Sequence, residues 1–285
     1  MTFITRFAPS PTGPLHLGHA YSALLAHQIA QQAGGTFLLR IEDTDQTRAR
    51  VHWQDQIYED LAWLGLSWET PVRRQSDWLS EYSNALTLLQ EKQLIFPCNC
   101  RRADIEAAAG APQEGVPQFG PDGRIYPGTC RHRSMDAAQP VEALRLNMHK
   151  ATEILTAPLV YQETGLGSGR KTVSAAALQT EVGDVVLQRR NAQVAYHLAV
   201  VVDDAKQGVS DVVRGADLAE ATQIHVLLQS LLGLPTPRYH HHKLIRDSTG
   251  KRLAKRDDAT AIAKLRSDGQ SANDIRRLLG FEPLD

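Results

Sequence analysis

One stretch constrains the fold more than any other part of the chain: Arg6-Phe7-Ala8-Pro9-Ser10-Pro11-Thr12-Gly13-Pro14-Leu15-His16-Leu17-Gly18-His19. Residues 3–8 read as a strand. Pro9, Pro11 and Pro14 cannot continue a hydrogen-bonded ladder, so a rigid loop must follow. Residues 15–33 then read as a helix, with Leu17, Tyr21, Leu24, Leu25 and Ile29 at helical spacing and Gly34-Gly35 as its stop. The helix begins at two histidines set three apart around a glycine. A helix N-terminus presents free N–H groups and a positive dipole end, which suits phosphate, and His16 and His19 share one turn there. Gly18 lets a flat base approach the backbone.

The pattern continues as strand and helix in alternation. Residues 36–41 form a short apolar strand, and Trp53, Ile57, Leu61 and Leu64 a helical stripe ended by Gly65. A further helix is expected over 79–93. Alternation of this kind predicts an α/β fold with a parallel, Rossmann-type sheet and helical crossovers. Residues 98–183 change character, with Pro/Gly-rich and Gly-rich loops, and read as an inserted subdomain that divides the main domain into 1–97 and 184–235. Residues 194–202 are almost continuously apolar and end in Asp203-Asp204, the look of a buried parallel strand. Residues 209–213 read as another strand. Asp217 and Glu220 suggest a capping box for a helix over 219–232 that Gly233 and Pro235 close. Residues 236–285 carry a basic loop and weak helices over 259–266 and 272–279. His240-His241-His242 fall on a strand near the nucleotide side, with neighbours facing opposite ways.

Composition bounds the function classes. The chain has 285 residues and a formal net charge of −1, so nucleic-acid contact must come from local basic patches. No apolar run approaches a membrane span and the N-terminus lacks a signal-peptide core, which points to a cytoplasmic protein with no membrane partner. The three cysteines, two of them as Cys98-Asn99-Cys100, suit a reducing compartment and a metal more than a disulfide. Tyr126 and Cys130-Arg131-His132 follow. Three thiolates and one further N or O ligand fit tetrahedral zinc, with Tyr126 or His132 as the fourth ligand. Glu42, in Arg40-Ile41-Glu42-Asp43-Thr44-Asp45, ends the second strand, where open α/β sheets bind ligands. Tyr196 can hydrogen-bond a ligand, and Arg214 can hold a carboxylate bidentately.

Together these segments resemble the catalytic domain of the class I glutamyl and glutaminyl tRNA synthetases, from Thr5 to about Asp258. The residues 6–19 match the family's "HIGH" region, with upstream Arg-Phe-Ala-Pro-Ser. The resemblance implies ATP, with Mg2+, held by His16, Gly18, His19 and Lys255. It implies glutamate held by Arg6, Ser10, Glu42, Tyr196 and Arg214, with the two arginines facing its two carboxylates. Lys251-Arg252-Leu253-Ala254-Lys255-Arg256 takes the place of the family's "KMSKS" loop. Lys255 matches the lysine that neutralises the triphosphate, whereas Arg252, Ala254 and Arg256 depart from the pattern. Full-length relatives pair Cys-x-Cys with Cys-x-His at a structural zinc, and short stand-alone relatives pair it with Tyr-x-x-x-Cys; Tyr126 is the favoured ligand here. The short stretch after Arg256 leaves no room for an anticodon-binding domain. These two features resemble the stand-alone branch, which implies a monomer that activates glutamate without tRNA and esterifies it to queuosine at the wobble position of the tRNA(Asp) anticodon stem-loop. A minimal enzyme charging the tRNA 3′ end, and a non-catalytic paralogue that binds tRNA or glutamate, are the alternatives.

Overall fold

The computed structural model describes residues 2–108, 118–245 and 261–284. The chain opens with β1 (Ile4–Phe7), α1 (Leu17–Gln32) and β2 (Thr36–Ile41), and the two strands pair in parallel with Ile4 opposite Thr36 and Phe7 opposite Leu39. The face of α1 against the sheet is built from small residues: Ala20, Ala23, Leu24, Ala26 and Ala30 are buried. Most of the expected stripe (Leu17, Tyr21, Leu25, Ile29) is only partly buried along the flank. Alanines let the helix axis lie close to the strands, and the larger side chains then seal the edges.

Next come α2 (Val51–Trp63), β3 (Arg73–Arg74), α3 (Leu79–Glu91), β4 (Ile95–Cys98) and α4 (Arg102–Ala108). β3 extends the first sheet in parallel beside β2. The middle of the chain holds the short hairpin β5 (Phe119–Gly120) and β6 (Gly123–Arg124), then β7 (Ala143–Leu146), α5 (Met148–Glu153), β8 (Leu159–Glu163), β9 (Gly169–Val173) and α6 (Ala175–Ala177). β10 (Val186–Gln188) follows, and β7 pairs antiparallel with both β4 and β10.

The run expected as a strand over 194–202 is a helix, α7 (Tyr196–Lys206). Every residue from His197 to Asp204 is buried. An apolar run covered on all sides has no amphipathic period, so helix and buried strand look alike in sequence, and length is the only arbiter. β11 (Asp211–Gly215) follows. The capping box expected from Asp217 and Glu220 does not form: residues 216–218 are a 3-10 turn, and α8 (Thr222–Leu232) starts later, behind Ala221, with no side-chain cap. Gly233 ends it in the left-handed conformation at φ 66°.

β12 (Arg238–His242) lies parallel to β11 and meets β8 at Tyr239 opposite Glu163. The backbone N–H of Ser210 donates to the Ile4 carbonyl at 2.9 Å, which sets the start of β11 beside the start of β1. The first sheet runs away from this seam on one side and the second on the other, so a crevice opens at the far ends of β1 and β11, the place where open α/β sheets take ligands. The tail, α9 (Ile262–Ser267) and α10 (Ala272–Leu278), docks Ile262, Ile275, Leu279 and Phe281 into the core of the first half. Among the described residues, no helix is long and apolar enough to cross a membrane.

Candidate active site and metal centre

A cavity of about 530 Å³ fills the crevice, lined by Arg6, Ser10, His16, Gly18, His19, Glu42, Tyr196, Arg214 and His242 among others. Two backbone bonds set the loop over it: Glu42 N–H donates to the Pro9 carbonyl and Arg50 N–H to that of Pro11, both at 3.0 Å. The Pro-rich loop is thereby tied to the end of β2, and the helix start is held in one place.

The two histidines cap α1 reciprocally. Gly18 N–H donates to His16 Nδ1 at 3.1 Å, and His16 N–H donates to His19 Nδ1 at 3.3 Å. Their rings stack with centroids 3.7 Å apart. An Nδ1 that accepts carries no proton, so each neutral ring keeps its proton on Nε2, a donor.

The opposite wall rests on a buried ion network. Arg6 grips Asp204 from Nε at 2.9 Å and from a terminal nitrogen at 3.2 Å. Arg40, fully buried, donates to the same carboxylate at 2.7 Å and to Glu42 at 3.1 Å. Asp203 is bound by Arg73 at 2.8 Å, Gln75 at 2.7 Å and the Tyr82 hydroxyl at 2.9 Å. Burial pushes the Asp204 carboxyl up, but Arg6 and Arg40 outweigh it and hold its pKa below the ordinary value. At Glu42 burial prevails over Arg40 and Arg6, and the pKa is raised. Burial likewise raises that of the Tyr196 phenol. The acidic pair was visible in the sequence only as the end of an apolar run; on a helix it becomes the counter-ion of three arginines from β1, β2 and β3.

Arg214 is engaged by the protein on most of its donors. Its Nε–H donates to His241 Nε2 at 3.1 Å, one terminal nitrogen faces His225 Nδ1 at 3.1 Å, and the other donates to the Leu218 carbonyl and to Thr222 Oγ1. His241 Nδ1 lies 2.6 Å from Glu163. Burial and the nearby Arg214 lower the His241 pKa, so this contact is a hydrogen bond from a neutral ring rather than an ion pair. A guanidinium has five N–H groups. Among the described residues a single one remains on Arg214, on the nitrogen bound to His225, so this side chain can offer one N–H instead of the two-pronged fork expected from the sequence. His242 Nε2 lies 2.8 Å from Ser22 Oγ at the cavity wall.

Cys98, Cys100 and Cys130 bring their sulfurs within 4.8 Å of one another. The Tyr126 hydroxyl sits 3.4 Å from the sulfurs of Cys98 and Cys100 and accepts from Cys130 N–H at 2.8 Å. Zinc with Zn–S bonds of ~2.3 Å spans S···S and S···O edges of roughly 3.5–3.8 Å; the Cys100 and Cys130 sulfurs stand 3.5 Å apart, close to that spacing. Hydrogen bonds led by that to Tyr126 outweigh burial and lower the Cys130 thiol to about 7. The cluster can hold a metal ion. Among the described residues no histidine nitrogen joins it; His132 lines a separate groove with Arg131 and Lys150.

Lys255 lies outside the described residues. The residues flanking that stretch stand at the cavity: Ile245 lines it, and Ala261 bridges to His16. Ser10 reaches the cavity from the Pro-rich loop, as the sequence motif implied.

This fold and cavity define a class I tRNA-synthetase catalytic domain. The family described as tRNA synthetases class I (E and Q), catalytic domain, matches residues 2–281. The Glutamyl-Q tRNA(Asp) synthetase of Rhodobacter capsulatus is 55% identical over 282 residues, covering 98% of this chain and 100% of that protein. Proteins of the same name from Deinococcus radiodurans (42% identical, 95% of this chain and 85% of that one) and Symbiobacterium thermophilum (38%, 95% and 83%) are similar throughout. The chain belongs to the glutamyl-Q tRNA(Asp) synthetase family, a family of aminoacyl-tRNA-synthetase-like ligases. Among solved structures, a glutamate tRNA ligase from Elizabethkingia meningosepticum in complex with its amino acid superposes with a TM-score of 0.74 at 23% identity. It is matched over 98% of this chain but 60% of its own length, and the likeness shows the shared fold. The parallel-sheet α/β architecture and the ligase class expected from the sequence are borne out.

Proposed function

We propose that this chain activates L-glutamate with ATP, without tRNA, and transfers it to queuosine at the wobble position of tRNA(Asp). The reading rests on one observation above all: the crevice at β1 and β11 places His16 and His19 in the same cavity as Arg6, Glu42, Tyr196 and Arg214. The names of the relatives, which combine glutamate, queuosine and tRNA(Asp), agree with it.

In the first step a glutamate carboxylate oxygen attacks the α-phosphorus of ATP, a P–O bond forms, and pyrophosphate leaves with its electron pair. The Nε2–H groups of His16 and His19 stabilise the charge that grows on the phosphates, as fixed donors in a partly water-excluded site. Lys255 adds a positive charge on the same phosphates, and Mg2+ enters with ATP. Glu42 takes the α-ammonium group. Arg6 and the remaining N–H of Arg214 take carboxylate oxygens, with Ser10 and the Tyr196 hydroxyl completing the pocket. In the second step a ring hydroxyl of queuosine attacks the mixed anhydride carbonyl and AMP leaves. An exposed loop nucleotide is the kind of RNA element that a protein pocket can admit.

The metal cluster would hold zinc through Cys98, Cys100, Cys130 and Tyr126. A closed set of four protein ligands leaves no position for water, so its role is to tie the end of β4 to the loop that carries Tyr126 and Cys130. The protein acts as a cytoplasmic monomer.

The deciding assay uses radiolabelled glutamate and tRNA(Asp) in two forms. One carries queuosine but lacks its 3′-terminal adenosine; the other has a complete 3′ end and guanosine at the wobble position. Label on the first alone is the expected result. Label on the second alone would mean a small glutamyl-tRNA synthetase, and label on neither would overturn the transfer step.

A further inference from the structure

Arg214 sits at the head of two histidine chains that differ in where they end. The first is short and wholly internal: His241 passes its Nδ1–H to Glu163, whose carboxylate also accepts backbone N–H groups from His241 and Gly165. The second crosses the molecule. His225 on α8 meets Arg214 at 3.1 Å through Nδ1 and meets His197 on α7 at 3.0 Å through Nε2. His197 Nε2 in turn lies 3.1 Å from Asp122 in the β5–β6 turn. His225 is 1% and His197 6% exposed, whereas the Asp122 side chain is 39% exposed.

The direction of this chain is fixed by its first member. A guanidinium can only donate. His225 Nδ1 must therefore accept, its proton sits on Nε2, and that N–H donates to His197 Nδ1. His197 then carries its own proton on Nε2 and needs an acceptor at position 122. Reversing any one bond sets two donors against each other and breaks the link at Arg214. The link matters because the nitrogen of Arg214 that His225 holds is the one whose second N–H has no partner among the described residues, and Arg214 lines the cavity.

We propose that His225, His197 and Asp122 form a one-way relay that orients Arg214 for its substrate carboxylate, so that an acceptor on the protein surface at position 122 sets affinity for the amino acid. His197, His225 and Asp122 are positioning residues. The inference rests on the reading of Arg214 as a glutamate ligand. The charged and titratable groups around His225 keep it neutral: Arg214 on β11, His197 and Tyr196 on α7, His241 on β12 and Arg6 on β1, together with burial, all but Tyr196 disfavour its protonated form. His225 itself is thus held neutral, and the direction of the chain is decided by the group at 122.

The test uses three variants at this surface position in the full chain, each read by ATP–pyrophosphate exchange. Asp122→Asn keeps an acceptor and should leave the KM for glutamate within about twofold of the parent. Asp122→Ala removes it and should raise that KM severalfold. Asp122→Lys supplies a donor in its place and should raise it by on the order of tenfold, the scale of one hydrogen bond to a charged group. The KM for ATP should move less than twofold in all three. Histidine 15N shifts give an independent readout: His225 and His197 should both show the Nε2–H tautomer in the parent and switch toward Nδ1–H in Asp122→Lys. An Arg214→Ala control separates the two readings. If that variant raises the glutamate KM while Asp122→Lys changes neither KM nor tautomers, the relay is overturned and the glutamate reading stands. If Arg214→Ala leaves the glutamate KM unchanged, the substrate reading falls and the relay's purpose with it.

Discussion

The buried guanidinium of Arg40 donates to the carboxylate of Asp204 at 2.7 Å, joining the end of β2 to the far half of α7 behind Arg6 and Glu42, which line the cavity. Asp204 also holds Arg6. Removing the carboxylate leaves two arginines buried without it. Asp204→Ala should cost about 3–5 kcal/mol, the scale for one partner lost from a buried ion pair, read as a fall in the urea midpoint.

The same carboxylate predicts a pH dependence. Its native pKa is depressed, so the unfolded chain binds the proton first. The stability it contributes is complete above the ordinary aspartate range and is lost as pH falls through it, below about 4. Denaturation of the parent should steepen there, and a folded Asp204→Asn variant should show a flatter profile over that window.

His16 caps α1, and substitution can separate that role from the catalytic one proposed for it. Asparagine is a good N-cap, so His16→Asn should keep the α1 start and the melting temperature near that of the parent. It lacks the imidazole Nε2–H, and pyrophosphate exchange should drop roughly 10²-fold, as for loss of one oxyanion-type donor. His19→Ala should lose activity on the same scale. Near-parental exchange in both variants would remove them from the mechanism.

Substrate choice follows from the arginines. Glutamine places an amide where a carboxylate would meet Arg6 or Arg214, leaving a buried cation short of its partner, so exchange with glutamine should fall at least 10²-fold below that with glutamate. Exchange with glutamate that appears only on adding tRNA would contradict activation without tRNA.

For the cysteine cluster the expected outcome is one zinc per chain. Tyr126→Phe should weaken retention against a chelator, and His132→Ala should not, because the tyrosine hydroxyl stands among the sulfurs and the histidine lines another groove. The reverse pattern would move the fourth ligand to His132.

The order of strands and helices in the first half was legible because each strand was short and the first two helices ended at Gly34 and Gly65, each at positive φ. The motif from Arg6 to His19 supplies one wall of the cavity, through Arg6, Ser10, His16, Gly18 and His19. What stayed hidden shares one cause. α7 has no polar face, so its period was invisible, and with it the role of Asp203 and Asp204 as anchors for Arg6, Arg40 and Arg73. The start of α8 was misplaced because the 3-10 turn over 216–218 took Asp217 out of the helix. The His225–His197 link joins side chains from two separate helices. No local pattern encodes such a contact; only packing reveals it.

α7 carries Tyr196 at its first turn and Asp204 near its last. Eight residues of helix, roughly 12 Å, separate the tyrosine that lines the cavity from the anion that holds Arg6. The two behave as marks on one ruler. A slight slide or roll of that rod, caused by repacking at Val200 or Val201 far from any ligand, would change the width of the pocket and the seating of its arginine in the same motion. Changes of amino-acid preference can therefore arise from apolar substitutions in the middle of a helix that never touches the substrate there.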